Sequence, residues 1–219
     1  MKALFFGSIG TIVETSRLQY DAFHIAFAQH GLDWPWTLPT YRDMLKISGG
    51  VNRISAFADK RNQQVDAKAI HATKTLLFLE KLQSDNVKPL PYVSVGLKAA
   101  QEHGMKTGFV STTEKAAVQI ITQKLVIEGN PDFDIVTHRG LGLPEKPKPD
   151  AYIHAFEALG IKAQSAIVVE DNVDGIAAAK SAGAHVVGVP GTMTQQQDLK
   201  TADTTVGSGS DVQWIKLFA

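Results

Sequence analysis

Five short apolar runs, most of them β-branched, recur along the chain at Ala3–Phe6, Thr107–Val110, Ile135–Val136, Ala166–Val169 and His185–Val189. Each is bounded by Gly, Pro or polar residues, the pattern of strands buried on both faces. Between the later runs stand segments with helical spacing. Apolar residues fall at 117, 118, 121 and 125 within Lys115–Leu125, and Ala151–Leu159 and Val173–Ala182 follow the same rule. Strand alternating with helix implies an α/β fold, a parallel sheet flanked by helices. Thr204–Val206 is read as a last short strand.

The stretch between the first run and the second is different. Leu18–His30, Thr40–Ile47, Asn52–Asp59 and Asp66–Gln83 read as helices, and no strand signal separates them. Such a block placed after the first strand is expected to be an inserted, all-helical cap domain over residues 15–87, with residues 1–14 and 88–219 forming the Rossmann-like core. Lys88-Pro89-Leu90-Pro91 marks the return to the sheet. Trp34 and Trp36, either side of Pro35, are expected to pack within the helical block.

Composition narrows the function classes. The 219 residues carry 22 basic and 22 acidic side chains and no cysteine, and 44% are hydrophobic. Balanced charge gives no electrostatic case for nucleic acid or an anionic membrane. Without cysteine there are no disulfides, thiolate metal sites or thiol nucleophiles. The apolar stretch after Lys2 is broken by Gly7, Ser8 and Gly10 and runs into Glu14 and Arg17, so it reads as a buried strand and not a signal peptide. A cytoplasmic protein, not bound to membrane or nucleic acid and compatible with a monomer, is the expectation. The seven histidines show no metal-ligand spacing.

Three segments carry chemistry. In VVEDNVDGIAAAKSAG, Val168–Gly183, an apolar strand ends in Glu170 and Asp171. The carboxyl ends of parallel strands meet at the ligand crevice, and acids there suit a hard cation such as Mg²⁺; acids at a helix start are also favoured by the helix dipole alone. In PEKPKPDAY, Pro144–Tyr152, prolines fix a loop that holds Lys146 and Lys148, and Asp150 is placed to cap the next helix. A lysine held there can neutralise a phosphate, or the loop is simply solvated. In GFVSTTEKA, Gly108–Ala116, a strand runs into Ser111, Thr112 and Thr113 before a helix. Hydroxyls and backbone N–H groups at a helix start suit an anion, although an ordinary N-cap by Thr112 or Thr113 explains them equally.

Hydroxyls after one strand, a lysine in a Pro-rich loop and paired acids after another, with a helical insertion after strand one, resemble the haloacid-dehalogenase (HAD) superfamily over nearly the whole chain. Within it the helical block resembles that of the β-phosphoglucomutase and CbbY-type sugar-phosphate phosphatases, through GLDWPW (Gly31–Trp36) and MLKISGGVNRI (Met44–Ile54). The resemblance implies phosphate contacts from Ser111, Thr112, Thr113 and Lys146, and Mg²⁺ ligation by Glu170 and Asp171. It also implies substrate-facing positions at Glu14, Gly49, Gly50 and Arg53.

One stretch departs from the pattern. The superfamily's first strand ends in D-x-D-G-T, whose first Asp is the nucleophile and whose second is the general acid and base. Here the matching residues are Gly7-Ser8-Ile9-Gly10-Thr11. Glycine supplies no nucleophile, and isoleucine cannot provide the proton transfer that is typically worth about 10²–10⁴-fold. Mg²⁺ loses a carboxylate, so weak or absent binding is expected. Ser8, in an extended strand end, is expected to point to the opposite face. Val51 stands where CbbY-type proteins usually carry a lysine. The expected function is a hydrolase-fold protein, catalytically impaired, that binds a phosphorylated small molecule such as a sugar phosphate. An active hydrolase with a different nucleophile and a protein-interaction module using the helical block are the alternatives.

Overall fold

The computed structural model describes residues 2–45, 49–195 and 198–218. Lys46, Ile47 and Ser48 of the Met44–Ile54 stretch, and with them the expected helix end at Ile47, lie outside the described residues. In chain order the elements are β1 (Ala3–Phe6), α1 (Ile9–Ile12), α2 (Ser16–Gln29), α3 (Leu38–Met44), α4 (Gly50–Lys60) and α5 (Ala67–Ser84). They continue with α6 (Pro91–Glu102), β2 (Lys106–Val110), α7 (Lys115–Ile127), β3 (Ile135–Thr137), α8 (Asp150–Leu159) and β4 (Ala166–Glu170). The last are α9 (Val173–Ser181), β5 (His185–Gly188), β6 (Thr204–Thr205) and α10 (Trp214–Phe218). Two compact units result, one of residues 1–14 and 87–219 and one of residues 15–86.

The first unit is an α/β layer built on one six-stranded sheet of order β3-β2-β1-β4-β5-β6, parallel throughout. β1 lies between β2 and β4, with Phe6 opposite Phe109 on one side and Val169 on the other. A central parallel strand is covered on both faces, and all four residues of β1 are fully buried. Its side chains alternate as the pleat requires. Phe5 meets Phe156 of α8 at 5.1 Å between ring centroids, whereas Phe6 meets Trp214 of α10 at 6.2 Å. Ala151, Tyr152 and Ala155 of α8 and Ile176, Ala178 and Ala179 of α9 complete the core on the Phe5 side.

The order of the strands decides where a ligand crevice forms. The chain runs outward from β1 through β2 to β3, then returns to place β4 on the other side of β1. Open parallel sheets have their crevice at such a reversal, outside the carboxyl ends of the strands. Gly7, Ser111, Glu170 and Asp171 follow or end the strands concerned. Between β1 and β2 the chain also forms α6, which the sequence reading left as a simple return to the sheet. Pro91 stands at its first turn, where a missing N–H is harmless.

Among the described residues the second unit is four helices around an aromatic core. Phe23, Phe27, Trp34, Trp36 and Tyr41 are buried together with Ile54 and Ile70. Phe27 touches Trp34 and Trp36 at centroid distances of 4.9 and 4.7 Å, so both tryptophans pack as the sequence implies. Lys74 is buried too. Its ammonium stands 5.0 Å from the Phe23 ring and 4.8 Å from the Phe78 ring and donates to Gln19 Oε1 at 3.0 Å. Burial, and then the nearby Arg53 guanidinium, push its pKa down to about 7. No helix among the described residues is long and apolar enough to cross a membrane.

Candidate functional site

The site is built where β1 stops. The Gly7 N–H still donates to Val169 O at 2.9 Å, continuing the ladder with β4. The chain then turns at Ser8 (φ −134°, ψ 168°), which caps the four-residue α1. The Ser8 hydroxyl accepts from the Thr11 N–H, and Thr11 Oγ1 accepts from the Ser8 N–H at 2.8 Å, a reciprocal capping box. Ser8 keeps extended backbone at the end of the strand. Its hydroxyl donates to Asp171 Oδ1.

Glu170, the last residue of β4, is fully buried, and Asp171 is 8% exposed. Four donors surround the Glu170 carboxylate. Lys146 Nζ and the Tyr152 hydroxyl both donate to Oε1 at 2.7 Å. The Asp171 N–H and Asn172 Nδ2 reach Oε2 at 3.3 and 3.2 Å. Lys146 lies also within hydrogen-bonding reach of the carbonyl oxygens of Gly7 and Val110, the latter at 2.8 Å. One ammonium therefore ties the ends of β1, β2 and β4 together. Asn172 caps α9 by accepting from the Gly175 N–H at 2.8 Å and donates to Asp171 Oδ1 at 2.8 Å.

Glycines make this crowding possible. A Cβ on Gly7 would sit closer than 3.0 Å to Glu170 Oε1 and to the Tyr152 hydroxyl oxygen. One on Gly10 would meet Asp171 Oδ2, and one on Gly175 would meet the Glu170 carboxylate, equally closely. Electrostatics follow from the burial. Desolvation, and then the Glu170 charge, push the Asp171 carboxyl up to about 6 against the opposing hydrogen bonds from Ser8 and Asn172 and the Lys146 charge. Burial and Glu170 likewise push the Tyr152 phenol well above its ordinary value.

The hydroxyl segment flanks this cluster in the sheet order. Ser111 is 4% exposed; its hydroxyl accepts from the Thr113 N–H at 3.1 Å and its carbonyl from Thr137 Oγ1 at 2.8 Å. Thr112 and Thr113 are half-buried. Neither caps α7: Glu114 holds the cap position, with no side-chain cap bond. Asp150 is the first residue of α8, behind Pro149 at the cap position, and is not itself the cap. The Glu14 carboxylate accepts from the backbone N–H and the hydroxyl of Thr192, in the loop after β5.

Gly49, Gly50 and Arg53 lie in the other unit. Gly49 precedes α4 with φ +83°, a conformation that favours glycine. A Cβ on Gly50 would fall on the His71 ring. The Arg53 guanidinium stands 5.9 Å from the Phe23 ring, and burial lowers its pKa.

Sequence reasoning named Glu170, Asp171 and Lys146, which the structure brings together. It missed Tyr152, Asn172 and the bond from Ser8 to Asp171. Asn172 was discoverable as a cap residue directly after two acids and three positions before Gly175.

The donor set does not fit Mg²⁺. The ion needs bare oxygens in a tight octahedral shell. Both Glu170 oxygens are occupied by proton donors, one of them an ammonium, and β1 supplies no carboxylate. Among the described residues no three acidic or histidine side chains form a metal-holding group.

Residues 10–189 match the sequence profile of a family described as haloacid dehalogenase-like hydrolase. The match begins just beyond Gly7 and Ile9. Protein CbbY of Rhodobacter capsulatus is 31% identical over 207 residues, which are 93% of this chain and 91% of that one. The crystal structure of CbbY from Rhodobacter sphaeroides in complex with phosphate aligns with a TM-score of 0.83 at 28% identity, covering 96% of each chain. A structure of a variant of that protein in complex with xylulose-(1,5)bisphosphate aligns equally well.

Proposed function

This chain belongs to the haloacid dehalogenase-like hydrolases, and from that premise we propose that it is a CbbY-like member that binds a phosphorylated small molecule, of the sugar-phosphate class, while its phosphoryl transfer is impaired. Phosphatases of this family generally use Mg²⁺ and a carboxylate nucleophile. The observation that carries the reading is at the end of β1. Gly7 offers no side chain there, and the space beside it is filled by Glu170 and Tyr152. Ile9 is 8% exposed within α1 and has no proton to give.

Recognition of the phosphate falls to Ser111, Thr112, Thr113 and Lys146, at the carboxyl ends of β2 and β3. Residues 15–86 act as the cap, with Gly49, Gly50 and Arg53 facing the substrate, and Glu14 does so from the core. The xylulose-(1,5)bisphosphate complex of the CbbY relative supports a sugar bisphosphate as the first ligand to try.

The test has two arms. Phosphate release from a panel of sugar phosphates, xylulose-(1,5)bisphosphate among them, is expected to stay at the level of a Lys146→Ala control with Mg²⁺ present. Calorimetry with the same panel is expected to find a binder. Mg²⁺-dependent release well above the control overturns the impairment and returns the chain to the active hydrolases. Binding by nothing in the panel overturns the ligand reading.

A further inference from the structure

The misfit between the crevice and a divalent cation has a positive content. We infer that Lys146, Glu170 and Tyr152 together take up the charge and the space that a β1 carboxylate and a bound cation would share, which makes the crevice floor a cation-independent polar core that holds Gly7 to the size of glycine.

The charge balance comes first. A buried carboxylate needs a compensating charge and filled hydrogen-bonding sites. Glu170 is fully buried and has both: the Lys146 ammonium at 2.7 Å, the Tyr152 hydroxyl at 2.7 Å, and Asn172 and the Asp171 N–H on its other oxygen. A cation at Oε1 would have to displace the ammonium, leaving Lys146 at 10% exposure with its carboxylate partner lost, and one at Oε2 would have to displace Asn172 and the Asp171 N–H. Asp171 adds its own obstacle, because Ser8 and Asn172 both donate to Oδ1.

The space comes second. Glu170 Oε1 and the Tyr152 hydroxyl oxygen both lie where a Cβ of residue 7 would be. Two side chains from β4 and α8 thus converge on the missing side chain of β1. Glycine at position 7 and hydroxyl at position 152 are therefore coupled: enlarging the first demands retreat of the second.

Mn²⁺ serves as the probe, because its free-ion paramagnetic signal reports binding without any turnover and without sugar phosphate. Titrating native protein with Mn²⁺ to millimolar levels is expected to leave the free-ion signal undiminished. Saturable one-to-one binding that disappears in Asp171→Asn overturns the inference. A second measurement addresses the coupling. Gly7→Ala is expected to lower Tm by several degrees in the native background, and by less in a Tyr152→Phe background, where the Glu170 contact remains. Equal losses in the two backgrounds overturn it. If Gly7→Ala does not fold, the Mn²⁺ titration of the native chain still decides. Neither readout involves phosphate release or sugar binding, so both stand or fall separately from the proposed function.

Discussion

Both units of this protein hold a lysine largely out of solvent, and they treat it in opposite ways. Lys146, in the α/β unit, faces a carboxylate at 2.7 Å and the carbonyl oxygens of Gly7 and Val110. Lys74, in the helical unit, has a neutral amide oxygen at 3.0 Å and two aromatic rings, with the Arg53 charge nearby. A buried ammonium is tolerable through a counter-charge or through losing its proton. The first unit takes the first route. The second moves toward the other, with Lys74 brought down to about 7. A lysine is therefore held against a carboxylate in one place and brought toward neutral pH by burial in the other.

The sharpest way to break this contrast is to remove each charge. Lys146→Met leaves Glu170 buried without its counter-ion and should destabilise the fold by about 3–5 kcal/mol in urea titrations. Lys74→Met removes a desolvated charge that has no carboxylate partner and should fall within about 1 kcal/mol of native near pH 7. Equal losses would dissolve the distinction.

The next effect is on pH dependence. The folded state holds Lys74 at about 7, below its value of 10.5 in the unfolded chain. Between those values the unfolded state binds more protons, so this group makes stability rise with pH. From about pH 6.5 to about pH 9.5, native protein should gain on the order of 3 kcal/mol relative to Lys74→Met. Parallel stability curves for the two proteins would show that Lys74 keeps its proton.

Smaller effects sharpen the polar side of the comparison. Tyr152→Phe removes a donor from the buried Glu170 carboxylate and should lower stability by about 1–3 kcal/mol, measured by denaturant unfolding. Ser8→Ala removes the α1 cap and the donor to Asp171, and the loss should be about 0.5–2 kcal/mol. A Ser8 effect larger than that of Tyr152 would shift the weight of the cluster from Glu170 to Asp171.

What could be read ahead of the structure divides along physical lines. The strands were legible because a parallel strand buried on both faces is an uninterrupted apolar run; Ala166–Val169 and His185–Val189 differ from the observed strands by one residue each. The acids and Lys146 were legible because charge is scarce in such surroundings. Helix α6 was hidden by Pro89 and Pro91, which read as breakers although Pro91 opens the helix. The bond from Ser8 to Asp171 depended on how the ends of β1 and β4 meet, and strand periodicity does not carry that. Tyr152 was hidden for another reason. A tyrosine on the apolar face of a helix reads as packing, and only the meeting of α8 with β1 and β4 turns its hydroxyl toward Glu170.

The strand order also sets when this cluster can exist. The hydrogen bond from Ser8 to Asp171 joins residues 163 positions apart. Closing so long a loop carries a large entropic cost, offset only by the contacts that then form, and structures dominated by distant contacts assemble slowly. In synthesis order β1 emerges before β2 and β3, and its neighbour β4 only after both. The helical unit, residues 15–86, has every residue of its own core long before that. β1 thus waits for β4, and the polar cluster on its end can form only once both strands are in place.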